Sequence, residues 1–187
     1  MKRRGLAAMM VVLVALVVVA ALQSRPQPAA LVSAAETVEL IKFLGLELDV
    51  AVLDIVAVRV RNPQTNEGFS ISRDADGNWT APDNPDKTLD VEAARNIATA
   101  VVTLQYRDTL SITDQTNLAD FGFNANGGIL SLEVLLNDQS SHVIAIGRIA
   151  PSEIGFYGLV DERDEIFLFE RGAVDYLLTQ LVKPPLT

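Results

Sequence analysis

Asp54-Ile55-Val56-Ala57-Val58-Arg59-Val60-Arg61 (DIVAVRVR) alternates apolar and polar residues with period two. Successive side chains of a strand point to opposite faces, so this stretch reads as a half-buried β-strand. Val56, Val58 and Val60 are predicted on one face, with Ala57, Arg59 and Arg61 on the other. Asn62 to Gly68 is a turn by composition. Phe69 and Ile71 mark a second strand, Asp74-Ala75-Asp76-Gly77-Asn78 a tight turn, and Trp79 opens a third strand. Three short strands joined by turns form an antiparallel meander.

Downstream, Asp90 is a good N-cap. Val91, Ala94, Ile97, Ala98, Val101 and Leu104 follow at helical spacing, with Glu92, Arg95, Asn96 and Thr99 opposite. This amphipathic helix is expected to cover a sheet face. Residues 106–128 are mixed in pattern. Asn117 to Gly122 forms a short helical turn with a glycine stop, and Asn126-Gly127-Gly128 is a break. Four strands are then predicted: Leu130 to Leu136, Val143 to Gly147, Phe156 to Val160 and Glu165 to Phe169. A last helix puts Val174, Leu177, Leu178, Leu181 and Val182 on one face and ends at Pro184-Pro185. The expected class is α+β with antiparallel meanders, each packed by an amphipathic helix. That order suggests a degenerate internal duplication.

Upstream, Ser33 to Glu36 has capping-box spacing, and Leu31, Ala34, Ala35, Val38, Ile41 and Leu44 recur on one helical face. A short helix ending near Lys42 and Gly45 is expected there. Lys2-Arg3-Arg4 precedes Gly5 to Ser24, which has no charged residue, and Leu6 to Leu22 is wholly apolar. Seventeen helical residues span about 25 Å, near the short end for a bilayer crossing. An uncleaved anchor, a cleaved signal and a buried core helix all fit such a run, and its length favours the anchor. The division expected is an anchor at 1–24, a linker at 25–32 and one extracytoplasmic domain at 33–187. The basic flank stays in the cytoplasm, so residues 6–22 would engage the lipid bilayer with the C-terminal domain outside.

The chain has 187 residues, no cysteine, and a formal net charge of −9. Thiol nucleophiles, disulfides and Cys-ligated zinc are therefore excluded. Beyond Arg4, 12 basic residues face 24 acidic ones, which argues against nucleic acid as a partner. His142 is the single histidine and reads as an exposed turn residue. No nucleophile elbow and no phosphate-binding glycine loop is present. Asp74 to Asn78 has its glycine too early for a calcium loop, and position twelve is Pro85. Asn78-Trp79-Thr80 matches the glycosylation triplet but falls on a strand and reads as chance. Trp79, Phe156 and Tyr157 are read as core aromatics.

The layout resembles the bacterial family called domain of unknown function 4340. The residues that carry the likeness are Asp54 to Val60, Ile71-Ser72-Arg73 with Gly77-Asn78-Trp79, Leu118 to Phe123, Ile146-Gly147 and Tyr157. The likeness would cover about residues 50–183. Phe123 stands where the family-like pattern has Leu. The resemblance implies a membrane-anchored extracytoplasmic protein, in some members accessory to export or gliding-type transporter systems, and supplies no catalytic residue. With no catalytic, cofactor or metal residue assigned, the sequence points to a non-enzymatic module that binds a protein or envelope partner. A second reading is an envelope hydrolase with a carboxylate site drawn from Asp83, Asp86, Asp120 and Asp161; convergence of two of them in one cleft would favour it.

Overall fold

The computed structural model describes the backbone of Ile41–Lys42 and residues 50–187. The anchor, the linker and most of the helix expected over 33–44 lie outside the described residues. One antiparallel sheet organises the rest. Its strands are β1 (Ile41–Lys42), β2 (Ile55–Arg61), β3 (Gly68–Arg73), β4 (Trp79–Thr80), β5 (Gln105–Ser111), β6 (Leu130–Leu136), β7 (Ser141–Ile149), β8 (Gly155–Val160) and β9 (Glu165–Glu170). Their spatial order is β1-β5-β9-β8-β7-β6-β2-β3-β4. Helix α1 (Val91–Val102) follows β4, and α2 (Arg171–Val182) follows β9. The α+β class is as expected. The two meanders do not form separate sheets: β2 pairs with β6 and joins them edge to edge.

Register explains the core. Phe69, Val60, Leu132, Ile144 and Val160 lie opposite one another across five strands. Each is at most 3% exposed. Ala94, Ile97, Ala98 and Val101 of α1, with Val174 and Leu177 of α2, are buried in the same cluster. Residues on the other face of β2 and β6 stay wet, and Arg59 pairs with Glu133 across the two strands at 3.3 Å. Part of that face is covered by the segment between β5 and β6. Phe121 of its 3₁₀ turn (Leu118–Phe121) stacks edge-on against Tyr157 at 4.9 Å, and Phe123 is buried. Gly122 ends the turn with φ +89°, a conformation open to glycine.

The first meander has the turns its sequence announces. Asp74 accepts from the backbone N–H of Asn78 and of Asp76, and Gly77 takes φ +81°. The Asp74 carboxylate thus serves the hairpin. Trp79 is 6% exposed under the guanidinium of Arg73, which lies 4.4 Å from its ring centroid. The register of β3 with β4, continued past Thr80, would place Ala81 opposite Ile71 and then Pro82 opposite Ser70. Proline has no N–H to donate, so the ladder stops at Thr80. Asp83 instead accepts the Ser70 hydroxyl at 2.6 Å.

Five expectations need correction. Ile41–Lys42 is a strand on the edge of β5, not the last turn of a helix. A bulge between Ile55 and Ala57 shifts the phase of β2, so Ile55 is buried and Val56 only half-buried. Residues 106–111, part of the stretch read as mixed, belong to β5, which pairs with β9. Val182 is 84% exposed, because α2 turns only Val174 and Leu177 fully inward. His142 lies on β7 rather than in a turn, with its side chain 18% exposed.

Candidate functional site

A cleft of about 500 Å³ opens between the two helices, within the range of small-ligand sites. Residues 88–90 run beside the chain after α2, with Asp90 N–H donating to the Pro185 carbonyl at 2.9 Å. The start of α1 is thereby tied to the end of α2. The cleft forms toward the other ends, lined by the second half of α1 and the first turns of α2.

Helix α1 presents Asn96, Thr99 and Ala100 to it, with Thr103 just beyond its last turn. Their spacing of i, i+3, i+4 and i+7 is one helical stripe. It runs beside the apolar stripe that faces the core. Across the gap stand Ala173 and Tyr176 of α2, three residues apart on one face. Gln105 and Glu170, from strands β5 and β9, close the end. Ala100 and Ala173 contribute only methyl groups to the lining.

The lining mixes apolar surface with neutral polar groups. Thr99 donates its hydroxyl to the Arg95 carbonyl at 2.9 Å, and Thr103 to the Thr99 carbonyl at 2.7 Å. Both hydroxyl oxygens retain free lone pairs. Among the described residues the side-chain amides of Asn96 and Gln105 have no protein partner, so each offers a donor and an acceptor. Among the described residues Glu170 is the one charged residue on the lining, and Arg107 neutralises it in an ion pair. Burial pushes the Tyr176 phenol above its ordinary value, with the Asp90 charge adding to the effect, and it stays protonated at neutral pH.

His142 has a structural partner. Its Nδ1 lies 2.9 Å from Asp161, whose other carboxylate oxygen accepts the Val143 N–H at 2.7 Å. Asp161 occupies φ +50° in the turn after β8, held there by these bonds to β7. A second hollow of about 370 Å³ beside His142 is lined by Asp54 and Asp138. Both acids serve turns: Asp54 accepts from Ala51 N–H and Asn137, and Asp138 from the Ser140 backbone and hydroxyl. The Ser140 hydroxyl bond is the leading cause that holds the Asp138 carboxyl below its ordinary value.

The four acids proposed for a hydrolase stand apart. Asp83 is bound to Ser70, Asp161 to His142, Asp86 lies in the exposed loop before α1, and Asp120 is exposed on the 3₁₀ turn. Among the described residues no hydrogen bond joins any two of them. Trp79 and Phe156 are core residues as expected, and Tyr157 is half-buried beneath Phe121. The sequence reading placed Asn96 and Thr99 on a solvated helix face and assigned nothing to Gln105, Glu170 or Tyr176. Among the described residues no helix is long and apolar enough to cross a membrane. Comparison with protein-family models, with curated proteins and with solved structures gives no match.

Proposed function

We propose that the chain is a membrane-anchored extracytoplasmic binding module that takes its partner in the cleft between α1 and α2. Residues 6–22 hold it in the bilayer with the basic N-terminus inside, and the domain works on the outer face. The observation that carries the binding reading is the neutral cleft, which sets two unengaged amides, two hydroxyl oxygens and a phenol around one cavity. Separation of Asp83, Asp86, Asp120 and Asp161 supports a binder over a carboxylate hydrolase. The sequence of the anchor and its basic flank supports the location, and the resemblance named above implies the same one.

Absence of cysteine makes the test direct. Thr99 is exposed on the rim of the cleft, so Thr99→Cys is a unique label site. A membrane-impermeant maleimide should modify it in intact spheroplasts. Labelling only after lysis would overturn the topology. In native membranes an occupant of the cleft should slow labelling relative to the purified chain, while Asp86→Cys, at an exposed position, reacts equally in both. Equal rates in both settings for Thr99→Cys as well would overturn the cleft as the binding site.

A further inference from the structure

We infer that the cleft between α1 and α2 is a carbohydrate site that takes a neutral sugar. This deepens the reading of the cleft as the binding site and rests on it. Three properties of the lining select the ligand class. First, among the described residues the cleft holds no uncompensated charge: Glu170 is the one ionic group on its lining, and Arg107 occupies that carboxylate. An anion would find no free cation among the described lining residues, in a chain of net charge −9. A cation would have to displace Arg107.

Second, the polar groups come in both senses. The hydroxyls of Thr99 and Thr103 spend their protons on backbone carbonyls and can only accept from a ligand. The amides of Asn96 and Gln105 can each donate and accept. A ligand that satisfies this set must carry several groups that both donate and accept at close spacing. Sugar hydroxyls do so; an apolar ligand would leave the amides desolvated and unpaired, at a cost.

Third, Tyr176 adds an aromatic side chain with a polar tip to the lining. Such a ring supplies apolar area for the C–H face of a pyranose and a phenolic hydroxyl at its rim. Ala100 and Ala173 add only small side chains to the lining, and the volume of about 500 Å³ is within the range of small-ligand sites.

The test is saturation-transfer NMR on the full chain in lipid nanodiscs, with maltose and N,N′-diacetylchitobiose as neutral probes and glucuronate as the charged one. Saturation should pass to one of the neutral sugars and not to glucuronate. Asn96→Ala and Gln105→Ala should each weaken binding about tenfold, the scale of a lost hydrogen bond in a desolvated site. Ala100→Leu should abolish it by filling the cleft. Asn96 is exposed and its alanine variant keeps a helix former, so a fold defect in Ala100→Leu would leave the test standing. Urea midpoints read from Trp79 fluorescence show which variants remain folded. Transfer to neither neutral sugar would overturn the inference, as would transfer unchanged in the folded variants or glucuronate bound equally well. If the sugars fail while the Thr99→Cys variant remains protected from maleimide in native membranes, the cleft keeps its role and only the ligand class falls.

Discussion

Replacing Arg73 by alanine should be among the most damaging single changes outside the hydrophobic core. Its guanidinium ties three parts of the chain together. Nε donates to the Ile55 carbonyl at 3.0 Å, Nη1 to Gly77 at 3.1 Å and Nη2 to Val52 at 3.4 Å, while the plane covers the Trp79 ring. Hydrogen bonds from a charged donor contribute about 1.5–3 kcal/mol each. The Gly77 bond is exposed and the Val52 bond long, so each counts for less. The Trp79 contact adds about 0.5–1 kcal/mol. Arg73→Ala should therefore cost about 3–4 kcal/mol, because it also leaves the Ile55 carbonyl unpaired beside the bulge. Arg73→Lys should recover less than half, since an ammonium cannot present three donors in one plane. Trp79 is the single tryptophan, so urea unfolding followed by its fluorescence reports directly on this site. With a urea slope of about 2 kcal/mol per molar, the midpoint should fall by roughly 1.5–2 M. Arg95→Ala, an exposed change on α1, should stay within about 0.5 kcal/mol. A cost below about 1 kcal/mol for Arg73→Ala, or full rescue by lysine, would refute this account.

Three other outcomes follow from single atoms. A Cβ at Gly158 would sit 2.3 Å from the Phe169 ring, whereas one at Gly77 meets nothing within 4 Å. Gly158→Ala should then cost about 2–3 kcal/mol by overpacking, and Gly77→Ala, strained only by its φ of +81°, about 1 kcal/mol; calorimetry separates them. Asp90 caps α1 by accepting the Ala93 N–H at 3.0 Å. Asp90→Ala should lose about 1 kcal/mol and bring the Tyr176 phenol back toward its ordinary value in an ultraviolet titration, because one of its two causes is gone. Asp74 has its carboxyl held below its ordinary value of 3.8, chiefly by the backbone N–H of Asn78. Its stabilising contribution is present above that value and is lost as pH falls through the lower folded value; Asp74→Asn should flatten that limb of an acid denaturation curve.

The strands that the sequence announces are those with one wet and one buried face. Leu130, Leu132, Val134 and Leu136 alternate with polar or exposed residues, and all four are buried. β5 is different. Its residues Asp108, Thr109, Leu110 and Ser111 are exposed, and only Tyr106 is buried. No alternation marks it, because it draws its stability from pairing with β9 rather than from a buried face of its own. The misplaced phase at Val56 has a related origin. A bulge inserts one residue opposite β6, and period-two reading cannot see a partner strand. Capping and turn residues carried their own geometry, so Asp90, Gly77 and Gly122 were legible without the fold. Side-chain partners were not: the bond from His142 to Asp161 spans 19 positions and depends on β7 lying beside β8.

The cleft was half-legible. Asn96, Thr99, Ala100 and Thr103 form a stripe at helical spacing, yet such a stripe beside an apolar one is also what any solvated helix shows. Two facts absent from the sequence separate these meanings. One is the second helix, whose chain neighbours tie it to α1 at one end and leave a gap toward the other. The other is size. Ala100 and Ala173 say nothing alone; only the fold brings both small side chains onto one lining. A site made of small and neutral residues leaves no charge cluster or motif for sequence reading to find. Its evidence lies in what the cleft leaves unpaired, which is why the amides of Asn96 and Gln105, rather than any acid, carry the functional argument.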